Sequence, residues 1–417
     1  MRRVGLAFSL VYFAFLMNSC TLKPNPTALR DESSKPVLNG LDVLLTHRTY
    51  YDSSRTGLFT NQTGVTKDLK SNYIVLSDIF NLKLIFSPEH GLYGAENAGD
   101  VIDESGDKQD DIAIISTYGL SPKRISPYLD SLDIIIFDMQ DTGIRAYTYI
   151  SSLAYIIQAT NGKNIKLMVL DRPNPINGLT IEGNVLNDSL ISFVGIFPMP
   201  YRYAMTIGEL ALMFRDDMAP NLNVEVIKME NWKRSMDFNE TGLVWVPPSP
   251  HVPHPETIYT MIATGVFGEL GTLHEGVGNP APFEYAGGPW ITNPVEYADA
   301  LNQLNLPGIV FRAAFWKPYY GKYKGQTVGG VQLHIINIKT VRPYLVGLCL
   351  LHIHQTLYPE IDLFENQNRW DMFAKVTGSN DIRLSLMAGK SPLEIESQWQ
   401  SDIRLFMKKR SKYLLYD

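Results

Sequence analysis

The 417-residue sequence predicts an α/β protein: a Rossmann-like domain with a mostly parallel sheet, followed by a smaller α+β domain. Three observations lead there. Short runs rich in Val, Ile, Leu and Phe alternate with longer helical patterns over about 200 residues, as a parallel sheet covered on both faces requires. A proline-rich run at 246–255 (VPPSPHVPHP) then breaks both periodicities, because proline neither donates to a ladder nor continues a helix. Beyond it come a glycine-rich irregular stretch and alternating strand patterns. These features place a Rossmann-like domain at 41–252 and a smaller α+β domain at 253–417. The length suits two or three domains, and a hydrophobic content of 45% supplies a sizeable core.

Taken in order, the chain opens on an export signal. Arg2 and Arg3 form a charged n-region, and 4–17 is an apolar h-region too short for a membrane span. The run ends Leu16-Met17-Asn18-Ser19-Cys20, which resembles a bacterial lipobox. Cys20 is therefore expected to be the lipidated first residue of a mature periplasmic or outer-membrane-associated lipoprotein, touching the membrane through that anchor alone. Residues 21–40, rich in Pro, Ser and charge, read as a flexible tether reaching at most roughly 65–70 Å. Cys349 lies in an apolar run and reads as a buried thiol, so no disulfide framework is expected.

Strands are expected at 42–45, 57–60, 83–86, 112–116, 133–137, 166–170, 223–228 and 243–246. The clearest helix is 145–160, with Tyr149, Leu153, Ile156 and Ile157 on one stripe and Asn161-Gly162 closing it. In the second half, helices are expected at 256–265, 341–357 and 391–413, and strands at 308–318 and 329–337.

Composition excludes several function classes. A net charge of −6 without a long basic run argues against a nucleic-acid surface. No G-x-G-x-x-G follows the early strands and no G-x-x-x-x-G-K-[ST] occurs; Pro280 and Pro282 follow Gly276-Val277-Gly278 where a helix should begin. No dinucleotide cofactor is expected. His251, His254, His352 and His354 lack metal-ligand spacing, and no G-x-S-x-G elbow anchors a serine hydrolase.

What remains is a set of strand-end motifs. In an open α/β sheet, ligands bind beyond the carboxyl ends of the strands. Residues 83–100 (KLIFSPEHGLYGAENAGD) put Pro88 at a strand end, with Glu89 and His90 directly after it among Gly91, Gly94 and Gly99. The segments 137–145 (FDMQDTGIR), 170–175 (LDRPNP) and 247–251 (PPSPH) are expected on the same edge. Together they gather Glu89, His90, Asp138, Asp141, Arg145, Asp171, Arg172 and Asn174. Ionisable groups so placed can shift one another's pKa for acid–base chemistry. The alternative is that Asp138 and Asp171 cap helices and pair with Arg145 and Arg172 as a structural ion network.

Jointly and in this order, 87–91 (SPEHG) with Gly94, 137–149 (FDMQDTGIRAYTY), 170–175 with Glu182-Gly183, Ser249-Pro250 with Pro253, 271–284 (GTLHEGVGNPAPFE) and 329–332 (GGVQ) resemble the NamZ-type exo-β-N-acetylmuramidase family from about residue 41 to the C-terminus. The resemblance implies a Rossmann-like catalytic domain, a smaller C-terminal domain, a site in the cleft between them, and removal of N-acetylmuramic acid from non-reducing ends of peptidoglycan fragments. It maps the family's strand-end glutamate onto Glu89. Many relatives carry G-T-N-x-S-x-G-R-G in the glycine-rich loop; here Val277 stands in place of the arginine. Such a sugar carries a lactyl carboxylate, which calls for a guanidinium, and Arg145 and Arg172 are the candidates. Glu89 and one of Asp138, Asp141 or Glu275 would form the carboxyl pair that glycosidic cleavage needs. Tyr147, Asp171, Asn174, His274 and Glu275 complete the expected substrate-binding set. The competing readings are a non-catalytic lipoprotein that binds cell-wall sugars, and an amidase, for which no metal or nucleophile constellation is found.

Overall fold

The computed structural model describes residues 35–47, 51–97, 99, 108–109 and 112–417. The expected signal, Cys20 and most of the expected tether lie outside the described residues. Pro36–Asp417 form one compact unit.

Its first half is built on strands β1 (Asp52–Thr60), β2 (Phe80–Ser87), β3 (Lys108–Gln109), β4 (Ile112–Ser116), β5 (Ile134–Asp138), β6 (Lys166–Leu170), β7 (Glu182–Val185), β8 (Pro200–Arg202) and β9 (Asn223–Ile227). The main sheet runs β3-β4-β2-β1-β5-β6-β9. Every pairing in it is parallel except β3 with β4. β7 and β8 form a separate antiparallel hairpin. β5 (IIIFD) is buried along its whole length, as a central strand covered on both faces must be.

The helices of this half are α1 (Gly40–His47), α2 (Asn72–Ser77), α3 (Pro122–Leu129), α4 (Tyr149–Ala159), α5 (Ile207–Met218) and α6 (Phe238–Thr241). Ile125, Leu153, Ile157 and Phe214 from α3, α4 and α5 cover one face of the sheet, over stacked Phe59, Phe86 and Phe137. Leu41 and Leu44 of α1 and Leu76 of α2 cover the other. Thr206 and Glu209 cap α5 reciprocally, each side chain bonding the other's backbone amide.

The second half carries α7 (Thr257–Leu270), β10 (Tyr285–Gly288), α8 (Pro294–Gln303), β11 (Ile309–Trp316), β12 (Val328–Ile335) and α9 (Pro343–Leu357). Then follow α10 (Trp370–Thr377), α11 (Asn380–Met387), α12 (Pro392–Ser397) and α13 (Gln400–Arg410). Its sheet is antiparallel, in the order β10-β12-β11. The tail then returns to the first half. The Leu415 amide donates to Glu209 (2.7 Å), the Tyr416 hydroxyl to Asp171 (2.5 Å), and the Arg234 amide to the Asp417 carbonyl (2.9 Å).

Three expectations need correction. Residues 42–45 are helical, inside α1, not a strand. The Asn39 side chain accepts from the Asp42 amide (3.0 Å) and so starts a helix in a run too short to declare its period. Residues 243–246 pair with no strand. Trp245 pins that extended connector edge-on to Phe238, its indole N–H donating to Val252 (3.1 Å). The single helix expected at 391–413 is two, α12 and α13, because buried Trp399 leaves helical geometry (φ −110°, ψ 10°).

Candidate active site

The carboxyl ends of the parallel strands open into a cavity of about 260 Å³. Glu89, His90, Tyr147, Thr148, Ser249 and His251 line it from the first half, and Met261, Gly265, Glu269 and Phe283 from the second. A larger hollow of about 530 Å³ flanks β9 and α1. Its Glu225 is paired with Lys166, and Glu89, Asp138 and Asp171 are not among its lining residues.

Glu89 reaches the cavity because β2 stops at Ser87-Pro88, where proline has no amide to continue the ladder. His90 follows in the left-handed region (φ 72°), a conformation costing a non-glycine residue roughly 1–2 kcal/mol. Its Nδ1–H donates to the Glu96 carbonyl (2.7 Å), leaving Nε2. The Glu89 carboxylate is held at both oxygens. The Gly99 amide donates to Oε1 (3.0 Å) and the Thr148 hydroxyl to Oε2 (2.6 Å). An amide can only donate, so Oε1 stays an acceptor. The Thr148 hydroxyl, unlike an amide, can both donate and accept.

The neighbouring strand ends are closed. Asp138, fully buried at the end of β5, takes Nε and Nη2 of Arg172 at 2.6 and 3.0 Å, and Asn72 at 2.8 Å. Arg172 also donates to the Val65 carbonyl (3.0 Å). Arg145 lies flat in a cage of carbonyls, with Asn184 and Met199 at 2.8 Å and Val376 at 3.1 Å. Burial lowers its pKa to about 10. At Gly378 (φ 85°) a Cβ would stand 2.4 Å from Arg145 Nη2, so the cage needs glycine there. Neither arginine lines the cavity.

Asp141 accepts from the Gly143 amide (2.8 Å) and the Tyr203 hydroxyl, and burial lifts its pKa to about 6. Asp171 receives Thr206 and Gly208 (2.8 Å each) besides Tyr416, and burial lifts its pKa to about 7. Asn174 spends its side chain on Met205 (2.8 Å) and Ile176 (3.1 Å). His274 is buried in the second half. Its Nδ1 accepts from the Gly276 amide (2.9 Å) and the Trp316 indole (3.2 Å), and burial lowers its pKa to about 4. Glu275 is raised to about 7 by burial and then by Glu269, but Glu269 is the one that lines the cavity. Of the residues expected from the sequence, the structure thus brings Glu89, His90 and Tyr147 together.

It adds Thr148, Ser249, His251 and Glu269. Met261, Gly265 and Glu269 recur every fourth residue, so one stripe of α7 forms a cavity wall. Burial raises the Glu269 pKa against the pull of Arg369, 3.9 Å away. His251 is carried in by the proline-rich connector. Gln62 holds that connector through the carbonyls of Pro247 (2.8 Å) and Pro248 (3.1 Å), and the Tyr149 hydroxyl also binds Pro248. The helix expected at 256–265 runs on to Leu270 and so carries Glu269; neither that extension nor the facing of α7 toward β2 was read in the sequence.

Residues 56–256 match the model of the NamZ exo-β-N-acetylmuramidase N-terminal domain, and 259–416 that of the C-terminal domain. A Bacillus subtilis protein named peptidoglycan β-N-acetylmuramidase NamZ is 38% identical over 396 residues, covering 94% of each chain. Two crystal structures of DUF1343 family proteins from Bacteroides fragilis superpose on the fold. One has a TM-score of 0.85 at 36% identity and the other 0.71 at 26%, each covering 92% of this chain and 99% of its own.

Proposed function

The chain belongs to the NamZ family of exo-β-N-acetylmuramidases, and from that premise we propose that it is an exo-acting glycoside hydrolase releasing terminal non-reducing N-acetylmuramic acid from peptidoglycan fragments. The observation that carries this reading is Glu89, presented into a cavity between the two halves with an amide on one carboxylate oxygen and a hydroxyl on the other. Glycosidic cleavage requires a proton for the departing oxygen and a second carboxyl group near the anomeric carbon. Glu89 supplies the proton. Glu269, on the facing wall, is the second carboxylate. His90, by sharing a turn with Glu89 and anchoring it to Glu96, keeps that carboxylate in place. A cavity of this size suits a chain end better than the middle of a polymer.

The test is product analysis on a N-acetylmuramyl-N-acetylglucosamine disaccharide and on a longer glycan. Free N-acetylmuramic acid should appear from both, the glycan shortening one terminal sugar at a time. Early mid-sized fragments would identify an endo-acting enzyme instead. Saturable sugar binding without release of reducing sugar would identify a binding lipoprotein.

The same reading includes export and lipid anchoring at Cys20, supported by Arg2-Arg3, the apolar stretch at 4–17 and the polar segment behind it. Cys20→Ala should move the protein from the membrane to the soluble periplasmic fraction with its activity retained. Retention at the membrane would mean an uncleaved signal anchor.

A further inference from the structure

The substrate proposed above carries a carboxylate on its lactyl ether, yet both arginines at this edge are committed elsewhere. Arg172 is bound to Asp138 and Arg145 to three carbonyls, and neither lines the cavity. Among the described residues that line it, only His90 and His251 can carry positive charge. His90 retains Nε2 after Nδ1 is spent on Glu96. His251 stacks on Tyr320 (centroids 6.1 Å apart, planes at 22°) and shares Nε2 with its hydroxyl, leaving Nδ1. Tyr320 thus holds the ring in place from the loop after β11.

We propose that His251, with His90 beside it, is the carboxylate-binding element of the cavity, so that the acidic sugar is taken up together with a proton. The inference rests on the muramidase reading and deepens it. The histidines share the cavity with Glu89 in the turn of His90, Tyr147 before α4 and Glu269 on α7, with Tyr320 behind His251. Empty, the site disfavours charge on His251, whose pKa burial lowers first and His90 lowers further. A bound carboxylate reverses that balance by pairing with the imidazolium. The acid form of the lactyl group is negligible above about pH 5, so within the histidine range binding tightens as pH falls. A neutral sugar meets the same Glu89 and Glu269 but lacks the carboxylate. The difference between the two ligands therefore isolates the histidine contribution.

The experiment measures inhibition of disaccharide hydrolysis by N-acetylmuramic acid and by N-acetylglucosamine, from pH 5.5 to 8, for the wild type and His251→Gln. For the wild type, the inhibition constant of N-acetylmuramic acid should rise with pH several-fold more than that of N-acetylglucosamine. In His251→Gln it should rise about 10- to 100-fold at pH 6 while that of N-acetylglucosamine changes by less than about threefold. Equal pH slopes for the two sugars in the wild type would overturn the proposal, and this comparison needs no variant. Equal losses of both sugars in a folded His251→Gln would overturn it too. A wild type that cleaves no muramyl disaccharide would remove the functional reading itself. One that cleaves it with no charge discrimination would remove only this inference.

Discussion

Two neighbouring stretches of one sheet edge behave oppositely. At the end of β2, Glu89 faces open volume, with two donors and a cavity in front of it. At the ends of β5 and β6, Asp138 and Asp171 have comparable positions but are saturated, Asp138 by Arg172 and Asn72, Asp171 by Thr206, Gly208 and Tyr416. Both arrangements follow from parallel strands ending in polar residues. The difference lies in what covers each end. α7 stands off from β2 and leaves a cavity, whereas α2 and Arg172 close over the end of β5, and the start of α5 and the tail close over the end of β6. A strand-end carboxylate is therefore free for chemistry only where its covering layer withholds partners.

The contrast can be broken from either side. The largest effect is expected at the open end: Glu89→Gln keeps the shape, removes the titrating proton, and should lower the rate of muramyl disaccharide cleavage about 10²–10⁴-fold, with unfolding unchanged. A loss of only a few-fold would return Glu89 to a structural role. At the closed end, Asp138→Ala leaves Arg172 buried without its partner and should cost about 3–5 kcal/mol in denaturant unfolding. A stable but inactive Asp138→Ala would move the pair into the site.

Asp141 supplies a pH test. Its pKa in the folded protein is raised to about 6 from 3.8, so its stabilising contribution is full below about pH 4 and lost as pH rises through about 6. The loss is on the order of 3 kcal/mol. Asp141→Asn should flatten the fall in stability between about pH 3.5 and 7 by that order, read as melting temperature against pH. An unchanged slope would mean Asp141 gains solvent in the folded state. The smallest effect is expected at Thr148→Val, which removes the hydroxyl from Glu89 and should lower kcat about 10-fold with KM little changed. A pure KM effect would place Thr148 with the substrate instead.

The parallel strands were legible because fully buried strands must be written as unbroken apolar runs, as 134–137 and 166–170 are. Glu89 was legible for a related reason, since Pro88 marks the strand end in the sequence itself. The short run at 42–45 was not, because four residues fit a helix stripe as well as a strand and only the Asn39 cap decides between them. The fate of Arg145 was hidden more deeply. Its three acceptors come from residues 184, 199 and 376, and no local pattern reports a cage assembled across 231 residues of chain. Glu269 was overlooked because the helix expected at 256–265 stops short of it, and because its role depends on which sheet edge α7 faces.

The returning tail bears on the order in which the molecule can be completed. Glu209 and Asp171 are buried carboxylates of the first half, and Leu415 and Tyr416 are among their donors. The Tyr416–Asp171 contact closes 245 residues of chain. Contacts of such separation form late, because the entropy of closing the intervening loop must be overcome first. Until that loop closes, two buried carboxylates of the first half lack these donors. Leu415 and Tyr416 thus act as a latch on the first half, set only once the second half has folded between them and their acceptors.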